Sequence, residues 1–418
     1  MSFDTFISDM GLIKRIKNSK KPLLGQIIDL IPSSIISKAI LTHKSDYRFK
    51  TYKTYDQLVA LLFGQLNKCY ALRDICIGFK VSADFLFDVG LKQSPARSTM
   101  SYTHSKRSWK VYETIFNDVL AHYGRLFSRT PHYKQLEELK GKVIRIVDST
   151  TISLCLSLFD WAKFRSTKGA IKIHTQIDEG TEIPTVVYIS EGSMHDKKGI
   201  EHLQILDNSI LIDDRGYYDF SAFVNYQARN ITFVTRIKSN ADFKVFKQKE
   251  LTQEDIKAGV KSIQTIQMRG NKAFQTTLSD IDLRLVTVWD EQNQKELIIL
   301  TNNMDWPAHV VAELYRRRWK IELFFKAIKQ NLQIKTFVGT SENAVKSQIY
   351  VALLSFVLLE FIRRHISEAR HAFKQFVNLI RICLMKYQGL NYVVNKIDEK
   401  VEVLQAKKEI NIGQYSLF

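Results

Sequence analysis

"KVIRIVDSTTISL", Lys142 to Leu154, is the stretch on which the fold turns. Its β-branched and apolar residues occupy both alternating faces, as in a central strand covered on both sides. "GAIKIHTQID" and "PTVVYISEG" follow with short turns between them, which predicts an antiparallel meander. "DKKGIEHLQIL" then reads as a helix capped by Asp196, "SILIDD" as a strand, "YYDFSAFVNYQARN" as a helix and "ITFVTRIK" as a strand. Three strands, helix, strand, helix, strand is the order of a mixed α/β sheet.

Upstream, residues 1–135 read as a helical domain. "TYKTYDQLVALLFGQLNKCY" spaces Leu58, Leu61, Leu62 and Leu66 at helical intervals, with Thr54 placed to cap the start. "SYTHSKRSWKVYETIFNDVLAHYGRLF" follows the turn-like "KQSPARSTM". The pair fits a helix-turn-helix with Arg97, Lys106, Arg107 and Lys110 toward phosphates, or an ordinary bundle with a solvated basic face. Lys14, Arg15, Lys17, Lys20 and Lys21 read as a mobile arm. Downstream of the 136–238 segment, residues 239–300 turn to polar alternating stretches ("KSIQTIQMRG", "FQTTLSDI", "LRLVTVW", "KELIILTNN"), which predict a β-rich insertion. Residues 301–388 read as helical and 389–418 as a mixed or mobile tail.

Composition narrows the function. The 418 residues carry 61 Lys plus Arg against 43 Asp plus Glu, a formal charge of +18, and 45% hydrophobic residues are enough for a sizeable core. A polyanionic partner is expected, with nucleic acid the first candidate. Cys69, Cys76, Cys155 and Cys383 form no zinc-type spacing, which fits a reducing, cytoplasmic compartment. The run "IYVALLSFVLLEFI" from Ile349 is broken by Ser355 and Glu360 and falls short of the roughly 20 residues a bilayer needs, so a buried helix is expected.

Chemistry enters with the segment Tyr315–Gln330, "YRRRWKIELFFKAIKQ", where one acid stands among six basic side chains. At about 100° per residue, Tyr315, Arg318, Glu322 and Lys329 share one narrow stripe beside the apolar stripe of Leu314, Ile321, Phe325 and Ile328. A carboxylate on the shoulder of a core needs partners. It could simply pair with Arg318 one turn earlier. Alternatively it is a metal ligand among cations that grip phosphates. The second possibility requires more acids, and the sheet supplies Asp148 within a strand and Asp213 and Asp214 at the end of another. Carboxylate oxygens are what hard divalent ions select. Two ions about 3.5 to 4 Å apart can activate an attacking oxygen and stabilise a leaving one.

Asp148, Asp214 and Glu322, with Tyr, two residues, Arg, three residues, Glu, six residues, Lys, resemble the DDE transposases of insertion sequence family four and their Y-R-E-K signature. "DDRGY" resembles the family's D-R-G-Y motif, which favours Asp214 over Asp213; "VDSTTISL" resembles its first motif, and "KGAIKIHTQID", "IP" and "HDKKG" resemble segments between them. The resemblance covers about residues 142–365, and "GQLNKCYALRDI" resembles the helical domain ahead of many such cores. It implies an RNase H-like core and cut-and-paste chemistry with Mg2+ or Mn2+, two ions per site, held by Asp148, Asp214 and Glu322. It also implies contacts from Tyr315, Arg318, Lys329, Arg215 and Lys326 to double-stranded DNA, namely terminal inverted repeats and target, bound by a homodimer. One departure is Leu297, where some members carry a base-stabilising Trp; Trp289 stands nearby or belongs to the core. His195 could assist the acids or be incidental, and His174 reads as packed or at an edge. A junction-resolving nuclease and a non-catalytic DNA-binding protein remain as alternative functions.

Overall fold

The computed structural model describes residues 19–81, 83–127, 136–165, 168–291, 293–332, 334, 336–367 and 372–395. Lys14, Arg15 and Lys17 of the basic cluster lie outside them, as does 396–418 of the tail. The chain divides into two compact units, one of Met1–Phe127 with Lys326–Phe418 and one of Ser128–Phe325. The division falls within a single helix, Trp319–Asn331.

The 128–325 unit is built on a mixed sheet of ten strands among the described residues. Strands β1 (Ile144–Leu154), β2 (Lys163–Arg165), β3 (Lys168–Asp178) and β4 (Pro184–Glu191) precede β5 (Ile210–Ile212) and β6 (Thr232–Arg236). β4 pairs with β3 and β3 with β1, both antiparallel, whereas β1, β5 and β6 run parallel. β1 is buried on both faces only over its first half: Ile144, Ile146 and Val147 are inaccessible, but from Thr150 the strand alternates buried and exposed. β7 (Phe243–Lys249), β8 (Val260–Met268), β9 (Leu283–Asp290) and β10 (Lys295–Thr301) are antiparallel neighbours in sequence order. β10 also pairs with β6, so these strands continue the same sheet.

Local chemistry departs from the sequence expectation in three places. "FQTTLSDI" forms no strand; it ends the short helix Asn271–Gln275 and enters a 3-10 turn at Leu278–Asp280. "DKKGIEHLQIL" forms only one α-helical turn, Asp196–Gly199, followed by a 3-10 turn at Ile200–His202, with His195 rather than Asp196 at the N-cap position. The expected continuous helix through Tyr315 is two, Ala308–Arg317 and Trp319–Asn331. Arg318 at the junction keeps helical dihedrals (φ −51°, ψ −30°), so the stripe from Tyr315 to Glu322 survives the break.

The other unit is helical. Between "TYKTYDQLVALLFGQLNKCY" and "SYTHSKRSWKVYETIFNDVLAHYGRLF" lie two further helices, Leu72–Val81 and Ala83–Asp88, so the expected pair is not adjacent. The second stretch is itself split into Arg97–Lys106 and Lys110–Gly124. Thr54 does not cap its helix: its N–H and hydroxyl donate to Asp46 (2.6 and 2.7 Å), and the Asp56 carboxylate accepts the N–H of Lys53 instead. Arg107, expected at a phosphate-facing surface, is 1% exposed. Its guanidinium donates to the carbonyls of Ser45 (3.0 Å) and Tyr52 (2.8 Å) and to Gln57, which fixes the loop before Thr54. Residues 384–395 pack on the helix Leu23–Ile28: Leu23 and Leu24 donate to the carbonyls of Lys386 and Leu384, Gln26 clasps Gln388 and Leu390, and Val394 is fully buried.

Glu342–His365 is longer than its apolar run suggested. By length and composition it could cross a membrane, but 94% of its apolar window is buried within the protein. Its polar residues are absorbed locally, Ser355 by the Val351 carbonyl and Glu360 by Arg363 and Arg364.

Near Arg107, His104 is buried, with neither ring nitrogen hydrogen-bonded among the described residues. Burial, aided by the Arg107 charge, pushes its pKa down to about 3. Between that value and its ordinary 6.5 the unfolded chain binds the extra proton, so this contribution to stability is complete above pH 6.5 and is lost as pH falls toward 3. His104→Leu is therefore expected to flatten the acid limb of thermal stability by a few kcal/mol, on the order of magnitude of such linkage. Parallel melting-point profiles from pH 4 to 7 would refute this.

Candidate active site

The parallel register of β1 and β5 explains which acids meet. Ile146 pairs with Ile212. Two residues further on, Asp148, still within β1, and Asp214, just past the end of β5, come to the same level and, by the period of two, to the same face. Asp213 is level with Val147, which packs into the core with Leu211 and Phe233. The alternation thus turns Asp213 inward: it is 1% exposed, and burial pushes its carboxyl up to about 8. Asp214 is half-buried, and its Oδ1 accepts the Arg215 N–H at 2.8 Å, capping the turn Arg215–Tyr217.

Glu322 reaches this corner from the helix Trp319–Asn331. Arg318 is the link, donating from Nη1 to Asp148 Oδ2 at 3.1 Å and from Nη2 to Glu322 Oε1. Burial pushes Asp148 up to about 6; the Ser149 N–H and Arg318 oppose that shift, and the Asp214 and Glu322 charges add to it. Asp148 is therefore near enough to feel the charge of both other acids. Among the described residues no three acid, His or Cys side chains are placed to share a metal ion. The guanidinium lies between Asp148 and Glu322, where such an ion would draw its oxygens.

Tyr315 is 6% exposed, with its hydroxyl lacking a hydrogen bond among the described residues and its ring 5.9 Å from the Arg318 guanidinium carbon. Tyr315 and Arg318 line a groove with Arg236, Trp289, Leu297 and Trp319. Trp289 is only half-buried there, so it is not a core residue. A second depression is lined by Asp214, Arg215, His195 and Lys238. Lys326 and Lys329 belong to the other unit, beyond the division in the helix.

Behind β1, Asp196 joins a network that its expected capping role did not predict. It accepts from Ser149 Oγ at 2.6 Å and pairs with Lys172 at 3.3 Å. His174 is packed, fully buried and bonded to Ser190 Oγ at 3.0 Å. A Cβ on Gly199 would lie 2.2 Å from its Nδ1, which is why that position carries glycine. "HDKKG" was the available signal, but its partners lie far away in sequence.

The family model described as "Transposase DDE domain" matches residues 139–358, over half of the chain. A domain of unknown function (DUF4372) matches residues 19–92. A Geobacillus stearothermophilus protein described as a transposase for insertion sequence element IS5377 is 27% identical over 331 residues, 78% of this chain and 86% of that protein. A Sinorhizobium fredii protein described as a transposase is 30% identical over 248 residues, 59% of this chain and 68% of its own length. Among solved structures, a piggyBac transposase synaptic complex with hairpin DNA is similar at 14% identity and TM-score 0.39, covering 88% of this chain and 81% of that one, too slight a likeness for detailed comparison. By the match across 139–358, this chain belongs to the transposase DDE domain family.

Proposed function

We propose that the chain is a cut-and-paste transposase of insertion sequence family four with an RNase H-like core, acting on the terminal inverted repeats of its own element as a homodimer. The observation that carries this reading is the placement of Asp148 on β1 and Asp214 just past β5 on adjoining parallel strands, with Arg318 bridging Asp148 to Glu322. The donor set fits a divalent metal: it is all carboxylate oxygen, and burial, with the Asp214 and Glu322 charges adding to it, raises Asp148 even beside Arg318. Asp148, Asp214 and Glu322 would hold Mg2+ or Mn2+, whose contribution when bound is to favour deprotonation of the attacking oxygen and to offset charge on the leaving one.

The protein's own part is positioning. Tyr315 offers a buried hydroxyl with no hydrogen bond of its own among the described residues, and Arg318 offers a planar donor fork suited to a phosphate. Arg215, beside Asp214, and Lys326 and Lys329, along the helix, supply further cations to the DNA backbone. In the proposed sequence, water cleaves one strand at the element end. The freed 3′-hydroxyl attacks the opposite strand to form a hairpin, and after hairpin opening a 3′-hydroxyl attacks a target phosphodiester. The helical unit, through residues 1–135, recognises the terminal repeats.

The test uses the full chain, Mg2+ and a linear duplex bearing the inverted repeats that flank the gene. Nicks at the element ends, followed by end-to-target joints on a second duplex, are expected. Cleavage that never yields a joined product would replace this reading with that of a nuclease.

A further inference from the structure

Glu179 is a single residue tied to both the strand of the first acid and the helix of the third. It directly follows β3, and its N–H donates to the carbonyl of Ile144, the first residue of β1, at 3.1 Å. Its side chain is 1% exposed, yet it meets two cations from the helix junction: Lys320 Nζ at 2.7 Å and Arg317 Nη1 at 3.3 Å. Lys320 also donates to the Glu179 carbonyl at 3.1 Å and pairs with Glu182 at 3.1 Å. Arg317 and Lys320 bracket Arg318, which alone of the three turns to Asp148 and Glu322.

A buried ion pair is a poor source of stability, because desolvation offsets the attraction; its best-attested use is to fix register. Here the register at stake is that of the two-helix junction on the antiparallel β1–β3 pair. A helix rotation of one residue, about 100°, would carry Glu322 away from Asp148. We propose that Glu179 is a positioning residue that sets the approach of Glu322 to Asp148, and so the affinity of the acid cluster for its divalent ion. This rests on the metal-dependent reading above.

The experiment compares the full-length wild type, Glu179→Gln, Glu179→Asp and Asp148→Asn. It measures Mn2+ binding from the electron paramagnetic resonance of the free ion, the Mn2+ concentration for half-maximal end cleavage, and the melting temperature. Glu179→Gln is expected to weaken Mn2+ binding and raise the half-maximal concentration by about tenfold or more, the scale of residues that orient metal ligands. Glu179→Asp keeps the charge and is expected to fall between Glu179→Gln and wild type. Wild-type Mn2+ dependence in Glu179→Gln, even with a lowered melting temperature, would overturn the proposal by leaving Glu179 a structural role only. Should Glu179→Gln fail to fold, Lys320→Gln removes one of the two cations from the same grip, and unchanged Mn2+ dependence in that variant overturns it equally. Identical Mn2+ binding by wild type and Asp148→Asn would instead strike the metal-dependent reading itself.

Discussion

Asp148→Asn, Asp214→Asn and Glu322→Gln are each expected to slow strand cleavage at the element ends by on the order of a thousandfold or more, with end binding still measurable. Each substitution keeps the side-chain volume and removes only the charge, so the loss reports on chemistry rather than packing. Asp148 and Asp214 each lie two residues beyond the paired Ile146 and Ile212, and Arg318 bridges Asp148 to Glu322. Asp213→Asn is the internal control. Its carboxylate faces the core, so its substitution should leave cleavage within a few-fold of wild type, far from the losses at the three acids. Gel assays of cleavage and mobility-shift assays of end binding check both statements. A wild-type cleavage rate in any of the three variants would remove that residue from the site. Stability should not fall with activity for Asp148→Asn, because burial already makes its charged form a cost near neutral pH.

Much of this arrangement was legible in the residues because it depends on short periods. The strand character of 142–154, the helical stripe of Tyr315, Arg318 and Glu322, and the apolar stripe beside it follow from periods of two and 3.6. Leu314, Ile321, Phe325 and Ile328 are indeed buried. What was not legible depends on partners far away in sequence. Arg107 read as a surface cation because nothing near it announces the carbonyls of Ser45 and Tyr52. Asp196 read as a helix cap because its partners are on β1 and β3. The apolar run from Ile349 read as too short to cross a bilayer, with Ser355 and Glu360 interrupting it, whereas local hydrogen bonds and ion pairs absorb both inside the longer helix Glu342–His365. The break at Arg318 had no signal, since neither glycine nor proline marks it.

Arg318→Gln is expected to separate two properties that a simple loss of function would move together. The guanidinium pairs with Asp148 and Glu322, whose side chains are both partly buried. A divalent ion must draw on the same oxygens, so it competes with Arg318, and its apparent affinity falls by the fraction of molecules in which the guanidinium is in place. Without Arg318, Mn2+ should bind about tenfold or more tightly, and saturating Mn2+ should raise the melting temperature further than it does in wild type. Cleavage should nevertheless fall on the order of a hundredfold, because the fork that holds the strand's phosphate during reaction is gone. The salt dependence of end binding should lose about one phosphate contact. In the wild type, a DNA phosphate that draws Arg318 off the acids would favour ion binding, and by reciprocity the ion would favour DNA. Calorimetric Mn2+ titrations of the full-length variant without DNA decide the matter. Binding weaker than or equal to wild type would mean that Arg318 does not hold the place of the cation, and the coupling between metal and DNA would have to be sought elsewhere.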